Sequence, residues 1–336
     1  MSQKIRIVIV GWQPKLAHLP NLSQHCARAI AAAPDAELVA IVSRNPKRVM
    51  EDIKGRADLP EGLKVLGYDE IGDLNGKVDA ALLAVPTEHV GETATAFLEQ
   101  GICTADSFDD HHLIIGYRQE LDKVAKDHKA VAVIASGWEP GLLSSIRALV
   151  ESSIPEARMA TTYGGKKGGR SLGHSAMARE TIRKFLPETD ALSITYASSK
   201  PSHHDRLVAY IDPEGDKRKE EVFKALRATD KFKPKDPCEQ LTIIAVKDKN
   251  ELEKYDTNHH SCEVLCQSET LKVEFNLDLD GPEVTANNML AGARAAVRRA
   301  KQRCFGTFTQ PEIAPIEMLP GETFEERVKQ NKSAMV

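Results

Sequence analysis

The sequence predicts an α/β protein, a doubly wound parallel sheet followed by a second, α+β domain. Three observations predict it. Strand-like apolar runs alternate with helical stretches from Ile5 to Ser152, and such alternation needs right-handed crossovers that cover a parallel sheet on both faces. The alternation stops near Ile154-Pro155, after which strand-like runs recur without regular crossovers. The chain, at 336 residues, is long enough for two cores.

The elements follow in order. Ile5 to Val10 is a β-branched run ending in Gly11, and Leu22 to Ala33 is helical in composition. Glu37 to Val42 and Val78 to Val85 are strands, and Val90 to Gln100 is a helix. Ile102 to Ala105 (strand), Tyr117 to Lys129 (helix), Ala130 to Ala135 (strand) and Leu142 to Ser152 (helix) continue the pattern. Beyond the boundary, Met159 to Tyr163, Leu207 to Ile211, Leu241 to Val246 and Leu271 to Leu279 read as one mixed, largely antiparallel sheet, with a charged helix at Asp216 to Ala228. Val284 to Phe305 reads as a long helix. Its Arg294, Arg298, Arg299, Lys301 and Arg303 are expected on a solvated face, because cations suit a helix C-terminus. The tail from Pro311 is expected to pack as an extended segment. The expected division is therefore a dinucleotide-binding Rossmann-type domain over 1–153, an α+β substrate and dimerisation domain over 154–283, and a C-terminal helix and tail over 284–336 packing back on the first domain.

Composition excludes several classes. With 41% hydrophobic and 28% charged residues the chain is ordinary for a globular protein. A net charge of -4 gives no pull toward nucleic acid or an anionic membrane. Met1 to Lys4 leads straight into a strand, so no secretory segment is expected, and no apolar run approaches the length of a bilayer crossing. Six scattered cysteines suggest reduced thiols and a cytoplasmic setting. His259-His260-Ser261-Cys262 with Cys266 raises zinc, but no second pair completes a ligand set, and no metal is expected.

Four stretches at strand ends carry candidate chemistry, since open α/β sheets place ligands at the carboxyl edge. Ser136-Gly137-Trp138-Glu139-Pro140-Gly141 follows a buried strand and sets an indole beside a carboxylate, a plausible seat for an ammonium group; a loop around a core tryptophan is the competing reading. Gly11 ends the first strand, but no second or third glycine follows, so the phosphate fingerprint is absent. Asn21 or Ser23 is expected to cap the next helix and meet a phosphate, with Lys15 supplying charge; a loop that binds no cofactor is the alternative. After Val42 come Ser43-Arg44-Asn45-Pro46-Lys47-Arg48, a hydroxyl and cations where an acidic residue would select NAD, which points to NADP; a solvent-facing basic turn is the competing reading. Cys103 to His112 brings Asp106, Asp109 and Asp110 to a fourth strand end, some of them as helix caps.

Lined up, these segments resemble the meso-diaminopimelate dehydrogenase family nearly end to end. Cys103 to His111 is similar to the family's C-T-V-D-T-Y-D-N-H, Ser136 to Gly141 to S-T-G-W-D-P-G, Leu172-Gly173-His174-Ser175 to S-Q-G-H-S, and Gly281 to Ala296 to a further stretch. The resemblance implies a Rossmann domain with a substrate and dimerisation domain, a homodimer, and NADP as cofactor. It implies oxidative deamination of the D-centre of meso-2,6-diaminopimelate to L-2-amino-6-oxopimelate and ammonia, in lysine and cell-wall precursor metabolism. Position by position it puts Asp109 and Glu139 at the reacting amine as catalytic residues. Gly137 and Trp138 wall that pocket, Arg206 grips the distal carboxylate with His260 (or His259) assisting, and Ser171 and Gly173 also meet substrate. Gly11, Asn21, Leu22, Ser23, Ser43, Arg44, Pro86 and Thr87 fall to the cofactor.

The sequence departs from the family pattern at three points. The G-Y-G-N-L-G loop appears as Gly11, an insertion, then Pro20-Asn21-Leu22-Ser23; the substrate-facing aspartate is Glu139; and an asparagine near the distal amine is Gly281. A related NADP-linked dehydrogenase of another amino or oxo acid, or an inactive ligand-binding homologue, therefore stand as alternatives.

Overall fold

The computed structural model describes residues 4–12, 21–154, 158–164, 168–197, 204–234, 237, 239–255, 257, 259–269 and 272–330. It divides into two compact units, Met1–Ala148 with Pro282–Val336, and Leu149–Gly281. The chain begins with β1 (Ile5–Val10), α1 (Leu22–Ala32), β2 (Ala36–Val42), α2 (Pro46–Ile53), β3 (Lys64–Leu66) and β4 (Ala80–Leu83). It continues through α3 (Thr87–Leu98), β5 (Cys103–Asp106), α4 (Ile114–Asp127), β6 (Val131–Ile134) and α5 (Leu142–Ser153).

The second unit holds β7 (Arg158–Tyr163), β8 (Gly169–Arg170), α6 (Leu172–Arg183), β9 (Ala191–Ala197), β10 (His204–Ile211) and α7 (Lys219–Arg227). β11 (Leu241–Val246), α8 (Lys249–Glu253), β12 (His259–Gln267) and β13 (Lys272–Asp280) complete it. Its strands form two sheets where one was expected. A four-stranded sheet runs β11-β10-β9-β8 and a three-stranded sheet runs β13-β12-β7. β10 and β11 are parallel, and the other pairings of both sheets are antiparallel. Alternation along β10 explains the packing: Val208 and Tyr210 meet Ile182 of α6 and Leu226 of α7, whereas Leu207 and Ala209 meet Leu252 of α8.

The chain returns to the first unit with α9 (Gly281–Lys301), β14 (Gly306–Thr309), α10 (Pro315–Met318) and α11 (Phe324–Gln330). The seven strands of its sheet run β14-β6-β5-β4-β1-β2-β3, all parallel. This is the expected doubly wound architecture, with strand order reversing between β1 and β4. Successive residues of β1 face opposite layers, as a pleated strand requires. Ile7 and Ile9 pack with Ile30 of α1 and Met289 and Leu290 of α9, and Val8 and Val10 pack with Phe97 of α3 and Leu121 of α4.

Two expectations for this C-terminal stretch are corrected. Arg294, Arg298 and Arg299 are not on a solvated face, whereas Lys301 and Arg303 are exposed as expected. Arg294 is 8% exposed and forms a two-pronged bond to Asp35, at 2.8 and 2.9 Å. Arg298 donates to the carbonyls of Glu317 and Gly321, and Arg299 bonds the Glu317 carboxylate at 2.8 Å while lying 4.2 Å over the Phe308 ring. The tail past Pro311 is helical in short pieces, not extended. Thr309 and Glu312 form a capping box, Pro315 opens α10, and the α9 guanidiniums take up the carbonyls that follow. Among the described residues no helix is long and apolar enough to cross a membrane.

Candidate functional site

A cleft opens in the first unit where β1, β2 and β4 end. Gly11 has φ +87°, and a Cβ there would lie 2.6 Å from the Ala84 carbonyl oxygen, so only glycine lets β1 turn against β4. Ser43 and Arg44 follow β2 and line the same cleft with Pro86, Arg48, Val49 and Tyr68. The Ser43 hydroxyl accepts from the Asn45 N–H at 3.2 Å, and Asn45 caps α2 by accepting from the Arg48 N–H at 3.1 Å. Both guanidiniums are exposed, and neither has an acidic partner among the described residues. Trp12, buried at 7% exposure, donates from Nε1 to Asp52 at 2.7 Å and lies beneath the Arg56 guanidinium.

Asn21 is the N-cap of α1, accepting from the Gln24 N–H at 3.2 Å, and the Ser23 hydroxyl donates to Asn21 Oδ1 at 2.7 Å. Leu22 is the first residue of α1. The expected contribution of Lys15 lies outside the described residues. Thr87 opens α3 and donates its hydroxyl to Asp109 Oδ1 at 2.6 Å, which joins a residue expected at the cofactor to one expected at the substrate.

The turn after β6 is closed by its own backbone. Gly137 N–H donates to the Pro140 carbonyl at 2.9 Å, and Leu143 N–H to the Trp138 carbonyl at 3.0 Å. The first turns of α9 support it: Asn288 Nδ2 donates to the Gly137 carbonyl at 2.8 Å, and Trp138 N–H to Thr285 Oγ1 at 3.3 Å. Trp138 and Glu139 are half-buried at its tip. Behind the turn sits Asp106, fully buried at the end of β5. It accepts from the N–H groups of Phe108 (2.9 Å) and Ala135 (3.1 Å) and from the Tyr117 hydroxyl (2.8 Å). Burial pushes its pKa up to about 6 even though these donors pull it down.

The second unit carries the remaining candidates. Ser171 caps α6, and its hydroxyl lies 2.7 Å from His174 Nδ1, whose Nε2 is 3.1 Å from the Lys231 carbonyl. A carbonyl only accepts, so Nε2 carries the proton and the Ser171 hydroxyl donates to Nδ1. Burial, with Arg206 nearby, holds His174 well below the usual histidine range, so it stays neutral. Gly173 lies in the first turn of the same helix. Arg206 bonds His204 Nε2 and lines a small cavity with Arg227, Lys231, Lys233 and Glu239. Its Nη1 is buried without a hydrogen bond among the described residues, and burial lowers its pKa to about 10, still charged at neutral pH. His260 is buried on β12 with Nε2 on the Arg170 carbonyl, and burial lowers its pKa to about 4. A Cβ on Gly169 would lie 2.6 Å from His260 Nδ1, so that glycine admits the ring. His259 is exposed and paired with Asp278 at 3.0 Å.

Several residues of these sites were not singled out from sequence: Trp12, Asp52, Tyr68, Tyr117, His174, Thr285 and Asn288. Arg48 was visible in the cation cluster, and Asp106 as a carboxylate ending an apolar strand.

No family model matches the chain. The meso-diaminopimelate D-dehydrogenase of Acetivibrio thermocellus is 30% identical over 347 residues, covering 97% of this chain and 97% of that protein. That of Bacteroides fragilis is 29% identical over 324 residues, covering 96% and 98%. Among solved structures, an engineered D-amino acid dehydrogenase bound to NADP+ superposes with a TM-score of 0.79 at 23% identity, over 99% of this chain and 100% of that one. The Corynebacterium glutamicum DAP dehydrogenase in complex with DAP gives 0.77 at 23%, over the whole of both chains, a likeness of fold. At 30% identity over 97% of both chains, the chain belongs to the meso-diaminopimelate D-dehydrogenase family.

Proposed function

We propose that the chain oxidatively deaminates the D-centre of meso-2,6-diaminopimelate, giving L-2-amino-6-oxopimelate and ammonia. The observation that carries this reading is the similarity to meso-diaminopimelate D-dehydrogenases along nearly the whole chain. As a member of that family the chain is an NADP-dependent oxidoreductase.

The residues present fit the cofactor. Gly11 leaves no room for a side chain where a dinucleotide backbone approach is needed, and the end of β2 offers a hydroxyl and guanidiniums, while Asp52, which also lines the cleft, is bonded by Trp12 Nε1. Ser43, Arg44 and Arg48 would hold the 2′-phosphate, and Gly11, Asn21, Leu22, Ser23, Pro86 and Thr87 the rest. When bound, the nicotinamide supplies the hydride acceptor. The chain's own residues do what remains. Asp109 and Glu139 attract the substrate ammonium and stabilise positive charge as the C–N bond gains double-bond character. One of them takes the ammonium proton that must leave before the C–N double bond can form, and both relay protons as water adds and ammonia leaves. Trp138 walls the pocket against bulk water. The Arg206 guanidinium holds the distal carboxylate with a charge-assisted bond. His260, neutral, contributes shape and a dipole here and no charge. Ser171 can meet a ligand through a lone pair, its proton being given to His174.

A related NADP-linked dehydrogenase of another amino or oxo acid is the second reading, favoured by Glu139 and Gly281, which differ from the family pattern. Steady-state NADPH formation with the meso, L,L and D,D isomers of diaminopimelate separates them. Turnover of the meso and D,D isomers alone supports the first reading. Turnover of a different D-amino acid with none of these supports the second. Ligand-raised melting temperature without turnover would leave a binding homologue. A homodimer in the cytoplasm fits this assignment.

A further inference from the structure

β5 and β6 separate early, their ladder ending after Thr104 with Ala132 and Ala105 with Val133. Past that point each strand runs into a loop that matters. One carries Asp109 and the other carries Gly137, Trp138 and Glu139. The link between the loops is Asp106. Its carboxylate takes the Phe108 N–H at the root of the first loop and the Ala135 N–H at the root of the second. Its carbonyl takes the Ser136 N–H at 2.7 Å. α4 joins the same clip, because Tyr117 donates to the other carboxylate oxygen and stacks on Phe108, ring centroids 4.3 Å apart.

We infer that Asp106 is a positioning residue whose buried carboxylate fixes the Asp109 loop and the indole turn relative to one another. That the two loops share one reacting centre rests on the dehydrogenase reading; the clip does not. The chemistry of the position argues for the role. An apolar residue here would leave two buried N–H groups unpaired, and a buried carboxylate is tolerated because three donors converge on it. Ala135 has φ +53°, in the left-handed region, so the root of the indole turn needs an anchor to stay there.

Asp106→Ala removes all three bonds. Asp106→Asn keeps an acceptor for both N–H groups and can donate to the Tyr117 oxygen, and Tyr117→Phe removes one bond. The variants are read by kcat, by KM for meso-diaminopimelate, by NADPH affinity from fluorescence, and by amide exchange. Asp106→Ala should lower kcat about 10²-fold, the loss expected from misplacement of roughly 1 Å, with NADPH affinity unchanged. Exchange should rise together in 107–113 and 135–141 and not in β9 or β10, and Asp106→Asn should restore both kcat and protection. A folded Asp106→Ala protein with wild-type kcat overturns the inference, as does an Asp106→Asn protein no better than Asp106→Ala. If Asp106→Ala does not fold, Tyr117→Phe decides: faster exchange in both segments supports the clip, and in one or neither overturns it. If the wild type turns over no D-amino acid, the functional reading fails and the clip stands or falls on exchange alone.

Discussion

Arg206 presents a buried N–H with no acceptor among the described residues, in a cavity of mostly positive side chains, an arrangement that a carboxylate completes. Arg206→Met should therefore weaken binding of the diacid by about 2–5 kcal/mol, seen as a raised KM, with NADPH affinity unchanged. A KM equal to wild type would remove Arg206 from the substrate site. In the cleft at the end of β2, Arg44 and Arg48 have no acidic partner among the described residues, and a 2′-phosphate would give them a counter-charge. The double change Arg44→Ala, Arg48→Ala should weaken NADPH at least about tenfold, the worth of one charge-assisted bond, and leave NADH almost untouched. Equal losses for both nucleotides would show that the cleft selects no phosphate. Ser43, Arg44, Asp109 and Glu139 were legible as candidates because their place at strand ends is a sequence property. The supporting bonds of the site were not, because they are set by distant contacts: Asp106, visible only as a strand-end carboxylate, bonds a residue 29 positions away, and Asn288 one 151 positions away.

At the scale of elements, the indole turn is shaped by Gly141, whose φ is +134° and whose Cβ, if present, would lie 2.1 Å from the Gly137 carbonyl oxygen. That atom is fixed backbone, so Gly141→Ala must reshape the turn and should destabilise the protein by about 1–3 kcal/mol. Urea unfolding measures this, and activity should fall with it; an unchanged midpoint would mean the turn relaxes freely. β1, β2, β4 and β6 were readable because each is an apolar run, mostly buried between two layers, whereas α2 and the short, part-exposed β3 (Lys64–Leu66) were not expected. The second unit was harder. β12 alternates, with His260, Cys262, Val264 and Cys266 inward, but its two leading histidines and its cysteines suggested ligands before they suggested a strand. β14 is four residues, Gly306 to Thr309, too short to announce itself behind a long helix. The helical tail was missed because it depends on arginines of α9 meeting carbonyls near Glu317 and Gly321.

At the scale of the molecule, the first unit is assembled from two stretches of chain separated by the whole second unit. α9 lays Met289, Leu290, Ala293 and Val297 onto the core, and one ion pair locks its middle to the turn before β2. Side-chain exposures of 9% for Arg294 and 15% for Asp35 put that pair inside the protein, where loss of one partner strands the other charge. Burial pushes the Asp35 carboxyl up, but the Arg294 guanidinium outweighs it and holds the carboxyl below its ordinary value. The folded state thus releases this proton more readily than the unfolded chain. The stabilisation is complete above the unfolded carboxylate value of about 3.9 and is lost as pH falls through the lower folded value. Asp35→Asn should lower stability by about 3–5 kcal/mol at neutral pH. The gap from wild type in urea midpoint should hold from pH 7 to about pH 5 and narrow steadily below about pH 4. A gap of the same size at acid and neutral pH would mean that packing around Asp35, and not its charge, ties the returning helix to the sheet.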